Sequence, residues 1–371
     1  WLKKHFLSQT RAFQITATMV GTLGQMVGSL ELQGFGALHD VQLDYYGKRA
    51  AGAFEDGVVR VWDTRSQEQG EQPKLLAELK GHEGPAWKVS WAHPQFGSVL
   101  ASCSYDMKVI IWKEVHPGNF QICHMDTTHT ASVNDCQFSP REYGLRLASV
   151  SSDGTLSVLT YDATTAQWRR LSAVAHPAGA QTLSWAPAAV RDGTVLPYSR
   201  LVTGGLDNCL SVWKIEGEEC VRERTPLAQT HTDWVRAVAW RPCASPTMFA
   251  SGSWDQVVNI YAQEMEGQAW RQISKINLPG KVEGLAWSVT GSILSVSYGD
   301  GESVLYKENY DGNFEELGKV SEAGYVEVPN SVTAKLAPNE DAIPVAVQAQ
   351  PPQDAQFMEQ QQAVLSSFGM M

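Results

Sequence analysis

The chain has 371 residues, 43% of them apolar, which is enough for one large or two ordinary domains with a substantial core. Asp and Glu number 40 against 29 Lys and Arg, and the net charge of −11 disfavours direct nucleic-acid binding, which needs clustered cations. Six cysteines without a C-x-x-C pair indicate a reducing compartment, and no apolar run reaches the roughly 18 residues of a membrane span.

Residues 1–37 precede the first repeat and have an unusual composition. Residues 1–30 contain three basic residues and no acidic one, which faintly resembles an organelle transit peptide. More ordinary explanations are a poorly ordered extension, a remnant of cloning, or translated upstream sequence before Met19 or Met26. The segment "FQITATMV" at 13–20 has strand composition, so the extension is predicted to add one strand at most.

From residue 38 onward, the chain repeats a motif in which a turn aspartate precedes an apolar run. Successive aspartates lie 45 to 54 residues apart, and the sixth residue after each one is large and apolar. The six copies are "FEDGVVRVW" (54–62), "SYDMKVIIW" (104–112), "SSDGTLSVL" (151–159), "GLDNCLSVW" (205–213), "SWDQVVNIY" (253–261) and "YGDGESVLY" (298–306).

Each repeat holds the material for four strands. An alternating segment such as "WKVSWAHP" (87–94) comes first, and a short strand of small residues such as "LASCS" (100–104) leads into the aspartate turn. The apolar run forms the third strand, and a fourth follows a polar turn, as in "KLLAELK" (74–80). Four strands per period near 45 predict an all-β protein, a WD40-type β-propeller with six four-stranded blades over residues 38–317.

Polar residues at fixed spacing suggest one hydrogen-bonded set in each middle blade. A histidine precedes the first strand in five repeats, and a serine or threonine lies four residues before the aspartate in repeats two to five. We call such a set a blade lock: aspartate fixes the histidine tautomer, histidine bonds the hydroxyl, and the hydroxyl accepts from a tryptophan indole. The predicted locks are His82, Ser102, Asp106 and Trp112 in blade two; His129, Ser149 and Asp153 in blade three; His176, Thr203, Asp207 and Trp213 in blade four; and His231, Ser251 and Asp255 in blade five.

Serine, histidine and aspartate together also suggest a catalytic triad, but this interpretation is disfavoured. The set recurs in four blades, whereas a hydrolase needs one exposed nucleophile, and the sequence has no G-x-S-x-G elbow. Phosphate-binding glycine loops are absent, and "HMDTTH" (124–129) is a weak metal signal because His129 already belongs to a lock. We therefore predict a protein that is not an enzyme and uses no metal or cofactor.

The two outer repeats are the least complete. Gly52 stands at the hydroxyl position of repeat one, and Val296 stands there in repeat six, which also lacks the histidine. No seventh motif follows, although residues 322–335 offer one more strand. Propellers usually close when a strand from one chain end completes the blade formed by the other end. Six blades without such a closing strand predict an open propeller whose edges need a partner strand. Residues 318–371 are acidic and rich in Gln and Pro, and they predict a mostly disordered tail.

The run "GHEGPAWKVSWAHPQFGSVLASCSYDMKVIIWKE" (81–114) resembles the second blade of the small WD subunit of the COPII outer coat. Three further segments fit the same family in the same order: "HDVQLDYYGKR" (39–49), "SSDGTLSVLTY" (151–161) and "HTDWVRAVAWRP" (231–242). The resemblance covers roughly residues 38–310 and includes the WD-repeat subunit of the Y-shaped nuclear pore scaffold; residues 1–25 have no counterpart in it.

This resemblance implies a non-enzymatic scaffold, an open propeller that receives a partner's blade between blades one and six. The implied partners are the larger helical-solenoid subunit of the COPII outer coat and a helical nucleoporin of the Y-complex. The implied location is cytoplasmic and peripheral, at ER exit sites and COPII vesicles during ER-to-Golgi transport, and at the nuclear envelope, without direct membrane insertion. The predicted contact positions are Val41, Gln42 and Leu43 in blade one and Val282, Gly284 and Ala286 in blade six.

Two other classes stay open at this stage. A generic WD40 adaptor, for example in the amino-acid-signalling complex on lysosomal or vacuolar membranes, would use the face of a closed propeller. It would need a seventh blade or an N-terminal clasp. A propeller enzyme would need convergent exposed acids or a metal set in the central channel, and the sequence offers no candidate for either.

Overall fold

Short segments of alternating apolar and polar residues give this chain antiparallel strands, which turns join into small sheets. The computed structural model describes residues 2–3, 16–20, 26–31, 35–65, 73–191, 193–223, 227, 230–243, 247–299, 301–309, 312–321 and 324–327. Within these ranges every regular element is a β-strand, apart from 3-10 turns at Pro94–Phe96 and Arg141–Tyr143. No helix in the same ranges has the length and apolarity of a membrane span.

The N-terminal extension contains three strands where the sequence predicts at most one. They form a three-stranded antiparallel sheet whose members are β1 (Leu2–Lys3), β2 (Thr16–Val20) and β3 (Met26–Glu31). Most of the predicted tail falls in the second compact unit, Pro329–Met371, which lies outside the described residues, whereas residues 318–321 and 324–327 of the predicted tail lie in strands.

Six sheets of four or five strands follow, which confirms the prediction of a six-bladed all-β propeller. Blades one to three contain β4 (Leu38–Leu43), β5 (Arg49–Phe54), β6 (Val59–Asp63) and β7 (Lys74–Leu79); β8 (Ala86–Trp91), β9 (Val99–Ser104), β10 (Val109–His116) and β11 (Asn119–Asp126); and β12 (Val133–Phe138), β13 (Arg146–Ser151), β14 (Thr155–Asp162) and β15 (Gln167–Val174). In each of these blades the strands pair in sequence order, and we call the first strand the inner strand.

Blades four to six keep this order with two additions. They contain β16 (Ala180–Trp185), β17 (Val190–Arg191), β18 (Thr194–Val195), β19 (Tyr198–Gly205), β20 (Leu210–Glu216) and β21 (Glu219–Arg222); β22 (Val235–Trp240), β23 (Thr247–Ser253), β24 (Val257–Gln263) and β25 (Arg271–Asn277); and β26 (Val282–Trp287), β27 (Ile293–Tyr298), β28 (Glu302–Glu308), β29 (Phe314–Ser321) and β30 (Gly324–Glu327). The β17–β18 hairpin is an insertion in blade four, and β30 adds a fifth strand to blade six.

The aspartate turns have a local cause. The residue after each aspartate has a positive φ, including Met107 at 66° and Gln256 at 68°. The aspartate side chain stabilises this tight turn by accepting the backbone N–H two residues later, as from Lys108 to Asp106 at 3.0 Å. The recurring aspartate therefore has a structural reason before any lock is considered.

The apolar core is divided into clusters, and five of the six lie between consecutive blades. Blades one and two share Val61, Val89 and Trp112, for example, and each later pair shares a similar set. Inner strands pack side by side from β4 through β8, β12, β16 and β22 to β26, but β26 and β4 make no comparable contact. The sixth cluster belongs to blade one alone, on the face turned away from blade two.

Candidate functional site

The predicted lock residues come together in blade two. His82 Nδ1 lies 3.1 Å from Asp106 Oδ2, and His82 Nε2 lies 2.8 Å from Ser102 Oγ. Trp112 Nε1 donates to the same Oγ at 2.9 Å. Because the indole can only donate, the Ser102 hydroxyl donates to Nε2, and the Nδ1–H then donates to Asp106. The four side chains form a continuous chain of hydrogen bonds that fixes one tautomer of His82.

The other middle blades repeat this geometry to different extents. Blade four is complete, with His176 Nε2 at 2.9 Å from Thr203 Oγ1, Asp207 at 2.9 Å from Nδ1, and Trp213 Nε1 donating at 3.0 Å. The His–Ser and His–Asp distances in the two remaining sets are 2.9 and 3.2 Å for His129, Ser149 and Asp153, and 2.8 and 2.9 Å for His231, Ser251 and Asp255. Leu159 and Tyr261 take the tryptophan position in those blades.

Electrostatics support a structural role for these sets. Burial works against the charged form of Asp106, but hydrogen bonds from His82 and the Glu83 backbone hold the pKa of Asp106 at about 2. Burial lowers the pKa of His129 and of His231 despite their aspartate partners, which favours neutral imidazoles. The hydroxyl of Ser102 is fully buried, so it cannot reach a substrate. Among the described residues, no group of three or more His, Cys, Asp or Glu is arranged to hold a metal ion.

Blade one uses a different set, which the sequence analysis missed. Asp56 pairs with Arg60 through Nη2 at 2.6 Å, and Glu78 accepts from Arg60 Nε at 3.1 Å. The guanidinium also lies over the rings of Phe35 and Phe54, at 4.4 and 4.8 Å from their centroids. Arg60 is only 5% exposed, so a buried, fully paired cation stands where blade two has Ile110. The available signal was the spacing of Asp56 and Arg60, four residues apart across a turn.

Neighbouring blades are joined by a recurring kind of hydrogen bond between inner strands. A side chain on one inner strand accepts a backbone N–H from the inner strand of the next blade. The described residues contain six such bonds: from Val89 to Asp40 at 3.1 Å, Phe138 to Ser90 at 3.0 Å, Leu183 to Asp135 at 3.0 Å, Trp185 to Gln137 at 3.1 Å, Val238 to Thr182 at 3.3 Å, and Trp240 to Ser184 at 2.9 Å. We call these six the interblade ladder.

The ladder starts at blade one and fails at the last blades. In blade one the Asp44 N–H bonds Arg49 within the sheet, so by alternation the N–H groups of Val41 and Leu43 point away from β5. Val41 corresponds to the donor Val89 in blade two and Leu43 to the donor Phe138 in blade three, yet no described side chain of blade six accepts from Val41 or Leu43. At the other end, the acceptor positions of blade six are Gly284 and Ala286, which have no acceptor side chain.

The six predicted contact residues do not all face the boundary between blades one and six. Val41 and Leu43 present their N–H groups at the blade-one edge, and Ala286 is exposed at the blade-six edge. The N–H groups of Gln42, Gly284 and Ala286 face their own sheets. Val282 lies elsewhere: it is fully buried and faces blade five, where a Cβ on Gly252 would meet its Cγ1 at 2.4 Å.

The faces at the two ends of the row differ in polarity. The face of blade one away from blade two, which we call the gap face of blade one, carries the five buried residues Leu38, Val41, Ala50, Phe54 and Trp62. The matching outward face of blade six has Ser295, Ser297 and Ser303 where earlier blades have residues such as Ala101, Cys103 and Val109. Ser297 and Ser303 bond each other at 3.0 Å. An occupant of this boundary meets a mostly apolar face that includes the buried Arg60 on one side and a hydroxyl-rich face on the other.

Comparison with known proteins gives two consistent results. The WD40 family, described as "WD domain, G-beta repeat", matches residues 73–113, 121–158 and 221–261. A Sec13 homologue of Drosophila melanogaster is 38% identical over 288 residues, covering 75% of this chain and 79% of the relative. A protein transport protein sec13 of Aspergillus clavatus is 38% identical over 301 residues, covering 77% and 100% respectively, and that of Emericella nidulans is 37% identical over 300 residues, covering 77% and 95%.

Proposed function

The chain belongs to the Sec13 family of WD40 propellers, and we propose that it acts in protein transport as the small propeller subunit of the COPII outer coat. Relatives named for protein transport, together with the WD40 match, confirm the prediction of a non-enzymatic protein. The proposed mechanism is mechanical: a rigid propeller stiffens a helical partner, and the assembled lattice bends the membrane. The proposed location is cytoplasmic and peripheral, at ER exit sites.

The unfinished boundary between blades one and six is the observation that carries the partner proposal. We propose that the larger helical-solenoid coat subunit contributes a blade here. Its inner strand would offer two acceptor groups to the N–H groups of Val41 and Leu43, in the way that Asp40 serves Val89 and Ser90 serves Phe138. The same boundary is proposed to receive a helical nucleoporin of the Y-complex at the nuclear envelope, because one missing blade can serve either partner.

Co-purification with the larger coat subunit tests this proposal through Leu43→Pro. Proline removes the outward N–H of Leu43 without breaking a bond of the β4–β5 ladder. We expect partner affinity to fall about ten-fold or more, which corresponds to roughly 1.4 kcal/mol. Leu43→Ala is the matched control: it trims the half-buried side chain and keeps the N–H, so binding should largely persist. Gln42→Pro is a poor test, because it removes a donor of the sheet itself.

The result also separates the coat proposal from the adaptor alternative. Trp234 is 43% exposed and its ring lies 4.9 Å from that of Trp254, beside the aspartate turn of blade five. If Leu43→Pro binds like the parent while Trp234→Ala loses the partner, the propeller face is the binding surface and the inserted-blade proposal is wrong.

A further inference from the structure

The N-terminal sheet has the topology of a propeller blade. Its strands are consecutive and antiparallel, and they pair in the order β1-β2-β3, as the strands of every blade do. Six residues, 32–37, connect β3 to β4. The outermost strand of blade one reaches β8 through six residues, 80–85, and blade two reaches β12 through six, 127–132. By strand order, the sheet resembles a blade that precedes blade one and has three strands instead of four.

The sheet touches blade one at β4, the strand that a preceding blade would meet. β1 packs against β4, and no hydrogen-bonded ladder joins the two strands. Inner strands of consecutive blades also meet without a ladder, as β4 meets β8, although those contacts are larger and include the second strand, as where β5 meets β8. β1 therefore holds the inner place of its sheet, with β2 and β3 further out. β26 of blade six makes no comparable contact with β1 or β4.

The burial of the gap face of blade one is a second, independent observation. Leu38, Val41, Ala50, Phe54 and Trp62 are between 0 and 7% exposed. The equivalent face of blade two, with Leu100 and Trp112, is buried because blade one packs on it. On blade one the described partners of this cluster are Phe35 and Leu43, and none of the other five blades contributes to it. Large side chains such as Trp62 need an apolar cover to reach this burial.

We propose that the sheet of β1, β2 and β3 is an intramolecular seventh blade that covers the gap face of blade one, so that this chain carries its own occupant for the edge at Val41 and Leu43. The occupant covers the blade-one side of the boundary and leaves Ala286 of blade six exposed. Its regulatory consequence rests on the proposed function: a partner blade has to displace the N-terminal sheet before it reaches β4. The N-terminus is then an autoinhibitory segment at the partner site.

Amide hydrogen exchange of the full chain without any partner tests the occupant directly. Thr18→Pro places proline in β2, the central strand of the N-terminal sheet, where it removes a ladder donor or clashes with the sheet. We expect the amides of Val41 and Leu43 to exchange at least ten-fold faster in this variant. Thr18→Val, which keeps the β-propensity of the strand, is the matched control and should match the parent. Unchanged exchange at Val89 and Val238 shows that the propeller stays folded.

Equal exchange at Val41 and Leu43 in the parent and in Thr18→Pro overturns the intramolecular blade and leaves the coat proposal standing. A second arm titrates the parent and Thr18→Pro with the larger coat subunit. Tighter binding by Thr18→Pro, by about ten-fold, supports displacement, whereas equal affinity contradicts it. If neither protein binds, the coat proposal fails, and the exchange result still decides on the intramolecular blade.

Discussion

The boundary between blades three and four and the boundary between blades six and one are built from the same positions with different chemistry. In the first, Asp135 and Gln137 accept the backbone N–H groups of Leu183 and Trp185, and an apolar cluster fills the space between the sheets. In the second, Gly284 and Ala286 occupy the acceptor positions of blade six. Serines of blade six stand where the other blades have apolar residues. Among the described residues, the boundary between blades six and one therefore lacks the ladder bonds that join blades three and four, and its blade-six side is richer in hydroxyl groups.

Acidification should destabilise several middle blades at once, because it protonates the aspartates and histidines of their locks. The pKa values of Asp106 and Asp153 are about 2, below the unfolded value of 3.8, so their stabilisation is present above pH 4 and is lost as the pH falls toward 2. The pKa values of His129 and His231 are lowered from 6.5, so the unfolded state takes up protons first and stability begins to fall below about pH 6.5.

Thermal unfolding followed from pH 8 to pH 2 checks this expectation. Stability should be flat above about pH 7, fall gently below pH 6.5 and fall steeply below pH 4. Blade six lacks the lock histidine, so hydrogen exchange resolved by blade should show blades three and five losing protection before blade six. A melting temperature that stays constant down to pH 3 would contradict the role assigned to the locks.

Asp106→Ala should have the largest effect of a single substitution. It leaves the fully buried His82 ring without its partner and removes the acceptor for the backbone N–H groups of Glu83 and Lys108. We expect a loss of about 3 kcal/mol in the free energy of unfolding, since bonds to charged groups contribute roughly 1.5–3 kcal/mol each. Urea unfolding measures it, with Glu55→Ala, an exposed carboxylate beside the aspartate turn of blade one, as a control near zero; a variant that unfolds like its parent rules out the lock.

Ser90→Ala probes an interior boundary with a smaller expected effect. It removes the acceptor of the Phe138 N–H and leaves that buried donor unpaired between blades two and three. An unsatisfied buried donor costs roughly 1–3 kcal/mol, so we expect a destabilisation of about 1.5 kcal/mol in urea unfolding. A neutral result would show that the interblade ladder does not hold the blades together.

Ala286→Ser makes the reverse change at the matching position of blade six. It introduces an acceptor in the last blade, beyond the final ladder bond from Trp240 to Ser184, on an exposed residue with no described donor opposite. We expect a change within about 0.5 kcal/mol, as for ordinary surface substitutions. A stabilisation as large as the loss in Ser90→Ala would mean that blade six already meets a blade across this boundary.

Features that depend on one short stretch of sequence could be predicted. Features that depend on strand register or on packing between blades could not. The aspartate turn and the His-to-Asp separation of 24 residues are local, so the blades and the lock partners are readable from the chain. The direction of the Gln42 N–H was not readable, because each inner strand has an irregularity near its start, between Leu38 and Asp40 in blade one, that shifts the pairing. The burial of Val282 against Gly252 likewise depends on the packing between two blades.

The N-terminal sheet has three strands where the sequence predicts at most one, and the reason for this difference is another one. Its strands have weak alternation, and β1 has only two residues, so only the pairing with β2 and the contact with β4 identify it. Arg60 was also missed, because the sequence analysis searched the aspartate turns for histidine partners. A pairing cation across the turn of Asp56 performs the same local task with different residues.

Hydrogen exchange of the full chain with and without the larger coat subunit tests the central claim most directly. The account predicts added protection at Val41 and Leu43, whose N–H groups face the unfinished boundary, and little change at Val89 and Phe138, whose donors are already bonded within the chain. Protection that appears around Trp234 and Trp254 instead, with Val41 and Leu43 unchanged, would contradict it.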